Sequence, residues 1–179
     1  MRLPPAALAA LVVLVVVVEG ILALEPPTLF LGAADWTGHL ATTAIIVAAI
    51  PRPLPRALII GAFAALLVDL DHIPDLFSDE GINDETPRPA THSLLTVLAI
   101  GAIAAAVRAR LPRYGDFALG VAIGVPLHLL RDVFTGPGVA LLSPLVGGVV
   151  DGPFLVYLAG LSLVALYAAL RPRPVQRRA

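Results

Sequence analysis

The sequence predicts an all-α membrane protein, a bundle of about six transmembrane helices with both termini in the cytoplasm. Composition is the first basis for this prediction: of 179 residues, 58% are hydrophobic and 14% are charged, whereas soluble domains have about 25% charged residues. The second basis is that the charges cluster and leave long apolar stretches between them. The third is that the arginines fall in alternate gaps between those stretches, which is how membrane proteins set their orientation.

Six stretches are long enough to be membrane spans, since a spanning helix needs about 20 mainly apolar residues. They are Pro5–Leu24, Leu29–Ile50, Leu54–Leu70, Thr91–Val107, Gly115–Leu130 and Pro153–Leu170. We interpret the first as an uncleaved helix, with a signal peptide as the alternative. Glu19, near its outer end, either reaches the interface or faces the bundle. Thr135–Val150 is apolar but broken by Gly and Pro, so it is predicted to be a loop or a short re-entrant piece, buried against protein.

Arginine placement predicts the orientation of these spans. If the spans alternate, ten of the twelve arginines lie on one side, which we assign to the cytoplasm, and Arg88 and Arg131 lie on the other. The chain is therefore predicted to be a multi-pass protein of the inner (cytoplasmic) membrane. We divide it into an N-terminal transmembrane helix (1–28), a metal-site membrane bundle (29–170) and a cytoplasmic Arg-rich tail (171–179).

Composition also excludes several kinds of chemistry. There is no cysteine, which excludes thiolate ligands, cysteine nucleophiles and disulfides. All twelve basic residues are arginine, so a lysine Schiff base is excluded as well. The net charge of −1 gives no reason to expect a nucleic-acid partner. The expected environment is the lipid bilayer, and the sequence does not indicate an oligomeric state.

The four histidines form the strongest functional signal, because each lies in or near the outer part of a different predicted span. Three of them have a carboxylate at helical spacing, which places both groups on one helix face; the pairs are Asp35 with His39, Asp69 with His72, and His128 with Asp132. Pro74 disfavours helical geometry at Ile73, so the helix is expected to end there and let its acidic groups turn toward a common point. The candidate metal ligands are His39, Asp71, His72, His92, His128 and Asp132, with Asp69 and Asp75 as further ligands or as groups that orient the histidines.

Two other interpretations of this constellation stay open. It is either a structural cluster of hydrogen-bonded polar side chains or part of a proton or ion pathway through the membrane. A single histidine–aspartate pair is weak evidence for a metal, because such pairs are frequent by chance. Four histidines together with the run Asp69–Asp75, which holds three aspartates and a histidine, favour the metal site.

These residues resemble the YdjM-like family of membrane-bound, metal-dependent hydrolases over about His39 to Leu145. The matching elements are Gly38-His39-Leu40, Asp69-Leu70-Asp71-His72-Ile73-Pro74-Asp75, Thr91-His92-Ser93-Leu94, His128-Leu129-Leu130-Arg131-Asp132, Thr135-Gly136-Pro137-Gly138-Val139 and Leu142-Ser143-Pro144. Where the family pattern has a histidine and a glycine ahead of Thr91-His92, this chain has Pro87 and Pro89, so one possible ligand of the family has no counterpart here. The first span is an addition ahead of the usual family start.

The resemblance implies a metal-dependent hydrolase and gives no substrate. Imidazole and carboxylate ligands suit zinc, with manganese or iron as alternatives, and the ligand number suffices for one or two ions. Asp75 is the candidate general base, and Asp69 is the next candidate. Arg131 and Arg88 are candidates to hold a phosphate, although Arg131 has an equally good alternative role in an ion pair with Asp132. A site at the membrane surface would suit a lipid or lipid-linked phosphoester.

Two functions from other classes compete with the hydrolase. A divalent-metal transporter or channel would use the same ligands but needs them near the bilayer midplane, on a path open to both sides. The polar groups of this sequence lie at one end of the spans, which favours the enzyme. A non-catalytic membrane protein is the third hypothesis, either binding a metal without chemistry or acting as a scaffold with no need of converging ligands.

Overall fold

The computed structural model describes residues 2–25, 27–77 and 91–172, and the side chains of 28, 29 and 73–77 are outside that description. The described part is helical, without a β-strand, and a single isolated antiparallel bridge joins Val139 to Val150. The helices are α1 (Pro5–Leu22), α2 (Thr28–Ala49), α3 (Arg56–Ala64), α4 (Leu94–Arg110), α5 (Pro112–Asp132) and α6 (Phe154–Leu170), and the 3-10 segment (Ala65–Phe77) continues directly from α3. The predicted all-α class and the positions of six helices are confirmed.

Prolines mark where several of these helices begin and end. Pro5 and Pro112 lie in the first turns of α1 and α5, where the missing N–H of proline costs nothing. Three prolines between α2 and α3 stop one helix and start the next. Ser93 caps α4 instead, its hydroxyl accepting a hydrogen bond from the Thr96 N–H at 3.4 Å.

The 3-10 segment differs from the expected helix end at Ile73. The α geometry stops earlier, at Ala64, and the tighter 3-10 winding carries the chain past Pro74 to Phe77. Pro74 therefore removes one hydrogen bond without ending the winding. The result is that Asp69, Asp71 and His72 are held on a helical segment rather than on a loop.

The helices form two groups that meet along α2 and α5. In one group, α1, α2 and α6 enclose an apolar core that includes Val15, Ile45 and Leu161. In the other, α3 and α4 pack on either side of α5, and the core there includes Ala65, Val125 and Leu129.

Glycine allows α3 and α5 to approach closely. A Cβ at Gly120 would collide with the backbone oxygen of Leu58, and one at Gly124 would collide with the backbone oxygen of Ala62. Gly61 has the same relation to the Phe117 backbone on α5. Small residues four apart that let two backbones touch are typical of helix packing within membranes.

One helix of the described residues, α1, is both long and apolar enough to cross a bilayer by itself, and α6 is apolar but has 17 residues. Six crossings therefore remain a prediction. The segment 135–150 is a loop, as expected. Its first part packs inside, with Thr135 and Val139 buried, whereas Leu142, Leu145 and Val149 are exposed, so burial of the whole loop was wrong.

Candidate metal centre

Eight histidine and aspartate side chains converge at one end of the bundle. They come from four separate elements and form overlapping groups of three whose ligand atoms lie within 4.8 Å of one another. The contributions are Asp35 and His39 from α2, Asp69, Asp71 and His72 from the 3-10 segment, His92 from the residue before the Ser93 cap, and His128 and Asp132 from α5. All six predicted metal ligands belong to this cluster, as does Asp69.

The centre of the cluster is a triangle of buried ligand atoms. Asp69 Oδ1 lies 2.9 Å from His128 Nε2 and 3.1 Å from His92 Nε2, and the two ring nitrogens are 3.2 Å apart. Asp132 Oδ2 is a fourth atom, 3.1 Å from His128 Nε2 and 3.7 Å from His92 Nε2. A tetrahedral ion with ligands at about 2.0–2.1 Å needs ligand atoms roughly 3.3 Å apart, so this set has the right spacing.

A second group of ligand atoms adjoins the triangle through Asp132. His39 Nε2 lies 3.2 Å from Asp132 Oδ1 and 3.5 Å from Asp35 Oδ2. The His39 and His128 rings stack, with centroids 3.8 Å apart and planes 5° from parallel. The two oxygens of Asp132 thus face different histidines, which is an arrangement that suits a carboxylate shared between two ions.

The opening of the cluster is formed by more exposed groups. The side chains of Asp71 and His72 are 20% and 17% exposed, whereas those of His92 and His128 are almost fully buried. Asp71 Oδ2 lies 3.5 Å from His92 Nδ1 and accepts a hydrogen bond from the Thr91 hydroxyl. Asp71, His72 and Thr91 are therefore among the more exposed of the described residues of the site.

Hydrogen bonds among these side chains leave several of their buried polar atoms poorly paired, and a bound metal ion would pair them better. If His92 and His128 both donated from Nε2 to Asp69 Oδ1, two N–H groups would face each other across 3.2 Å. His39 Nε2, although close to two carboxylates, makes no regular hydrogen bond among the described residues. Buried polar groups without partners are costly, and a cation accepts lone pairs from all of these atoms at once. The nitrogen and oxygen ligands therefore fit a divalent metal of the zinc type.

Arg131 lies directly behind the cluster and has no exposed surface. Its guanidinium donates through Nη1 to Asp35 Oδ1, and its Nη2 lies 3.4 Å from Glu19 Oε2 on α1. A Cβ at Gly38 would lie 2.5 Å from the same Nη2, so the guanidinium rests against the α2 backbone. From the sequence, Glu19 was predicted either to reach the membrane interface or to face the bundle. Its contact with Arg131 shows that it faces the bundle.

Local sequence explains how these side chains meet. Two of the predicted helical pairs, Asp35 with His39 and His128 with Asp132, are i, i+4 neighbours on one helix face and are in contact. Asp69, predicted to pair with His72, lies against His92 and His128 from two other elements. Such contacts between helices carry no signal in the spacing of a single sequence.

The other predicted site residues differ in how far the structure describes them. Asp75 lies on the 3-10 segment, but its side chain is outside the described part, and Arg88 is wholly outside it. Glu19, and Thr91 as a partner of Asp71, were missed as functional candidates. A glutamate alone in an apolar helix, on the predicted side of Arg131, was the signal for the first. The Thr91-His92 pair was the signal for the second. Asp35 was predicted as a partner of His39 but was not among the candidate ligands, although it belongs to the cluster.

The fold and this site define a class of helical membrane proteins with a buried histidine–aspartate centre that has the ligands for a divalent metal. The chain belongs to the YdjM inner membrane protein family, which matches residues 35–178. No curated protein and no solved structure matches the sequence. The match includes every residue of the cluster and leaves α1 outside it.

Proposed function

We propose that this protein is a metal-dependent hydrolase embedded in the inner membrane, with its site at the extracytoplasmic face, acting on a lipid or lipid-linked phosphoester. The observation that carries the proposal is the buried triangle of Asp69, His92 and His128, three potential ligands from three elements with metal-like spacing. Zinc is the expected ion, with manganese or iron as alternatives, and the group around His39 and Asp132 has room for a second.

Six membrane crossings are part of this proposal and are supported by the surface of the helices. Large apolar side chains are exposed along α4 and α6, among them Leu98, Ile103, Leu155, Leu163 and Leu166. So many exposed large apolar side chains on two helices suit contact with lipid.

The proposed orientation rests on the two ends of the bundle. At the end away from the cluster, Arg2 donates to the Pro172 carbonyl at 3.0 Å, and Arg171 donates to the carbonyls of Ala49 and Ile50. Arginine-rich ends face the cytoplasm, so the cluster would face outward.

Reporter fusions test this topology. A reporter fused after Ala179 should read cytoplasmic, and one inserted at Gly81 should read extracytoplasmic. Both reporters on the same side would refute the six-span arrangement.

The residues of the chain would act as follows. A bound divalent ion would supply Lewis-acid activation of water and polarisation of the bond under attack. Asp69, His92, His128 and Asp132 would hold it from below, and the exposed Asp71 and His72 would complete its ligands where substrate enters. Asp75 would take the proton from water as general base, with Asp69 as the alternative. Arg88, and Arg131 if it leaves its carboxylate partners, would hold the phosphate.

Activity with a chelator control tests the enzyme directly. Purified protein should hydrolyse a phosphoester or lipid ester presented at the outer face, and removal of the metal should abolish the reaction. Asp75→Asn should lose activity while keeping most of the metal, and Asp116→Asn, at an exposed carboxylate near the start of α5, is the matched control. Full activity in Asp75→Asn would transfer the base role to Asp69. Bound metal without hydrolysis of any ester would favour the non-catalytic function.

A transporter would need polar groups along the whole bundle, and their distribution argues against this. Buried polar side chains of the described residues gather at the cluster end, with Thr42 and Thr43 one turn further along α2. Toward the arginine end the buried residues are apolar, such as Ile45, Ala48 and Leu58. Desolvating a divalent ion among such side chains is prohibitive.

Liposome flux separates transport from hydrolysis. Sealed vesicles containing the protein should show no zinc or manganese uptake above that of empty vesicles. Metal uptake that is lost in the His72→Ala variant would show that the protein is a transporter and would refute the hydrolase proposal.

A further inference from the structure

Arg131 is a fully buried cation that immediately precedes the candidate ligand Asp132. A buried charge is stable only when it is paired and hydrogen-bonded. The groups that pair with Arg131 therefore determine where its side chain lies.

Two carboxylates share the Arg131 guanidinium, one from inside the cluster and one from outside it. Nη1 donates to Asp35 Oδ1, and Nη2 lies 3.4 Å from Glu19 Oε2. The other oxygen of Asp35 lies 3.5 Å from His39 Nε2. A continuous series of contacts thus runs from Glu19 through Arg131 and Asp35 to His39.

The plane of the guanidinium is fixed by the backbone of α2. At Gly38 a Cβ would lie 2.5 Å from Nη2 and 2.7 Å from both Cζ and Nε of Arg131. Gly38 thus limits the guanidinium on one face, and the two carboxylates hold its two terminal nitrogens. In this position Nη1 pairs with Asp35 and Nη2 pairs with Glu19.

We propose that Glu19 is a positioning residue of the metal centre, so that α1, which lies outside the family match, takes part in building it. Without the negative charge of Glu19, Nη2 loses its charge-assisted partner, and the fork of Arg131 can bind both oxygens of the remaining carboxylate, Asp35, in the bidentate geometry that arginine prefers. Asp35 Oδ2 would then leave His39. The proposal rests on the metal centre proposed above.

Histidine spectra of the metal-free protein test the positioning independently of metal. The chain has four histidines, so histidine labelled with ¹³C and ¹⁵N gives a short set of imidazole signals, each assigned by its His→Gln variant. Glu19→Gln should shift the His39 signals and leave those of His72 in place. Glu25→Gln removes the same charge from an exposed glutamate just beyond α1 and should shift neither. An unchanged His39 in Glu19→Gln overturns the proposal.

Cobalt titration of the same variants tests the consequence for binding. Residues that orient metal ligands change metal affinity by about 10–100-fold, and we expect about a tenfold loss of Co²⁺ affinity in Glu19→Gln with a changed visible spectrum. Glu19→Asp keeps the charge and should recover part of both, and it replaces Glu19→Gln if that variant does not fold. Equal affinity and identical spectra in all variants would refute the inference. A wild-type protein that takes up no Co²⁺ overturns the metal centre, and the histidine spectra then decide the positioning of His39 alone.

Discussion

The metal cluster and the contact between α3 and α5 are both buried, yet they are held together in different ways. Between α3 and α5 the backbones touch because Gly61, Gly120 and Gly124 have no side chains, and shape alone decides whether the helices fit. In the cluster, histidines and carboxylates oppose one another at 2.9–3.9 Å, and charge decides the fit. The difference teaches that substitutions in the first region should act on folding, and substitutions in the second on ligand binding.

The largest effect is expected where backbones touch. Gly120→Leu places a side chain against the Leu58 backbone oxygen, which has no way to yield, so we expect a loss of about 3 kcal/mol of stability or failure to fold. Thermal unfolding and size-exclusion chromatography in detergent measure this. Gly101→Leu is the control, because a Cβ at Gly101 on α4 meets nothing within 4 Å. An equal loss of stability in both variants would mean that the close approach of α3 and α5 is not the cause of the destabilisation.

Loss of His128 is expected to have the second-largest effect, and it should act on metal binding. His128 belongs to two of the candidate ligand groups, whereas His72 belongs to one, at the exposed opening. We expect His128→Ala to weaken Zn²⁺ binding by at least about 100-fold, beyond the usual range for residues that only orient ligands. His92→Ala should behave similarly and His72→Ala should lose less. Metal analysis and competition titration measure the order, and full occupancy in all three would leave only the structural polar cluster.

Gly38, like Gly120, is a glycine that another group approaches closely, but the group is the Arg131 guanidinium beside the cluster and not a helix backbone. Gly38→Ala should displace the Arg131 guanidinium and lower Zn²⁺ affinity by about tenfold, with a smaller loss of stability than in Gly120→Leu. Gly32→Ala, on the same helix and with open space around its Cβ, is the matched control. Both affinity and unfolding temperature should be recorded. If Gly38→Ala lowered the unfolding temperature without changing Zn²⁺ affinity, Gly38 would act through helix packing, as Gly120 does, and not through the metal site.

The smallest effect is expected at the arginine end. Arg171→Gln removes the donor to the Ala49 and Ile50 carbonyls, which end α2, and should cost about 1 kcal/mol without altering metal affinity. Arg108→Gln is the control, because its ion pair with Asp116 is exposed on both sides and contributes little. A change in metal affinity in Arg171→Gln would show that the two ends are coupled.

Sequence reasoning located the helices because hydrophobic stretches and prolines are local signals, and α1, α2 and α6 begin and end within two residues of the predicted bounds. It also found the cluster residues, since histidine and aspartate rarely occur in apolar stretches without a role. It did not find the 3-10 winding after Ala64, nor the pairing of Asp69 with His92 and His128. Both depend on how helices distant in sequence pack against each other.

The 3-10 segment has a consequence for how ions would enter and leave. Its winding has poorer hydrogen-bond geometry than an α-helix, and long runs of it are uncommon. Because this segment carries Asp69, Asp71 and His72, it holds ligands on both the buried and the exposed sides of the cluster. Local opening of this segment, with α2 and α5 staying in place, would release one wall of the site. The slow step of ion exchange would then be the unwinding of a few residues, and amide protons of 66–72 should exchange sooner than those of α5.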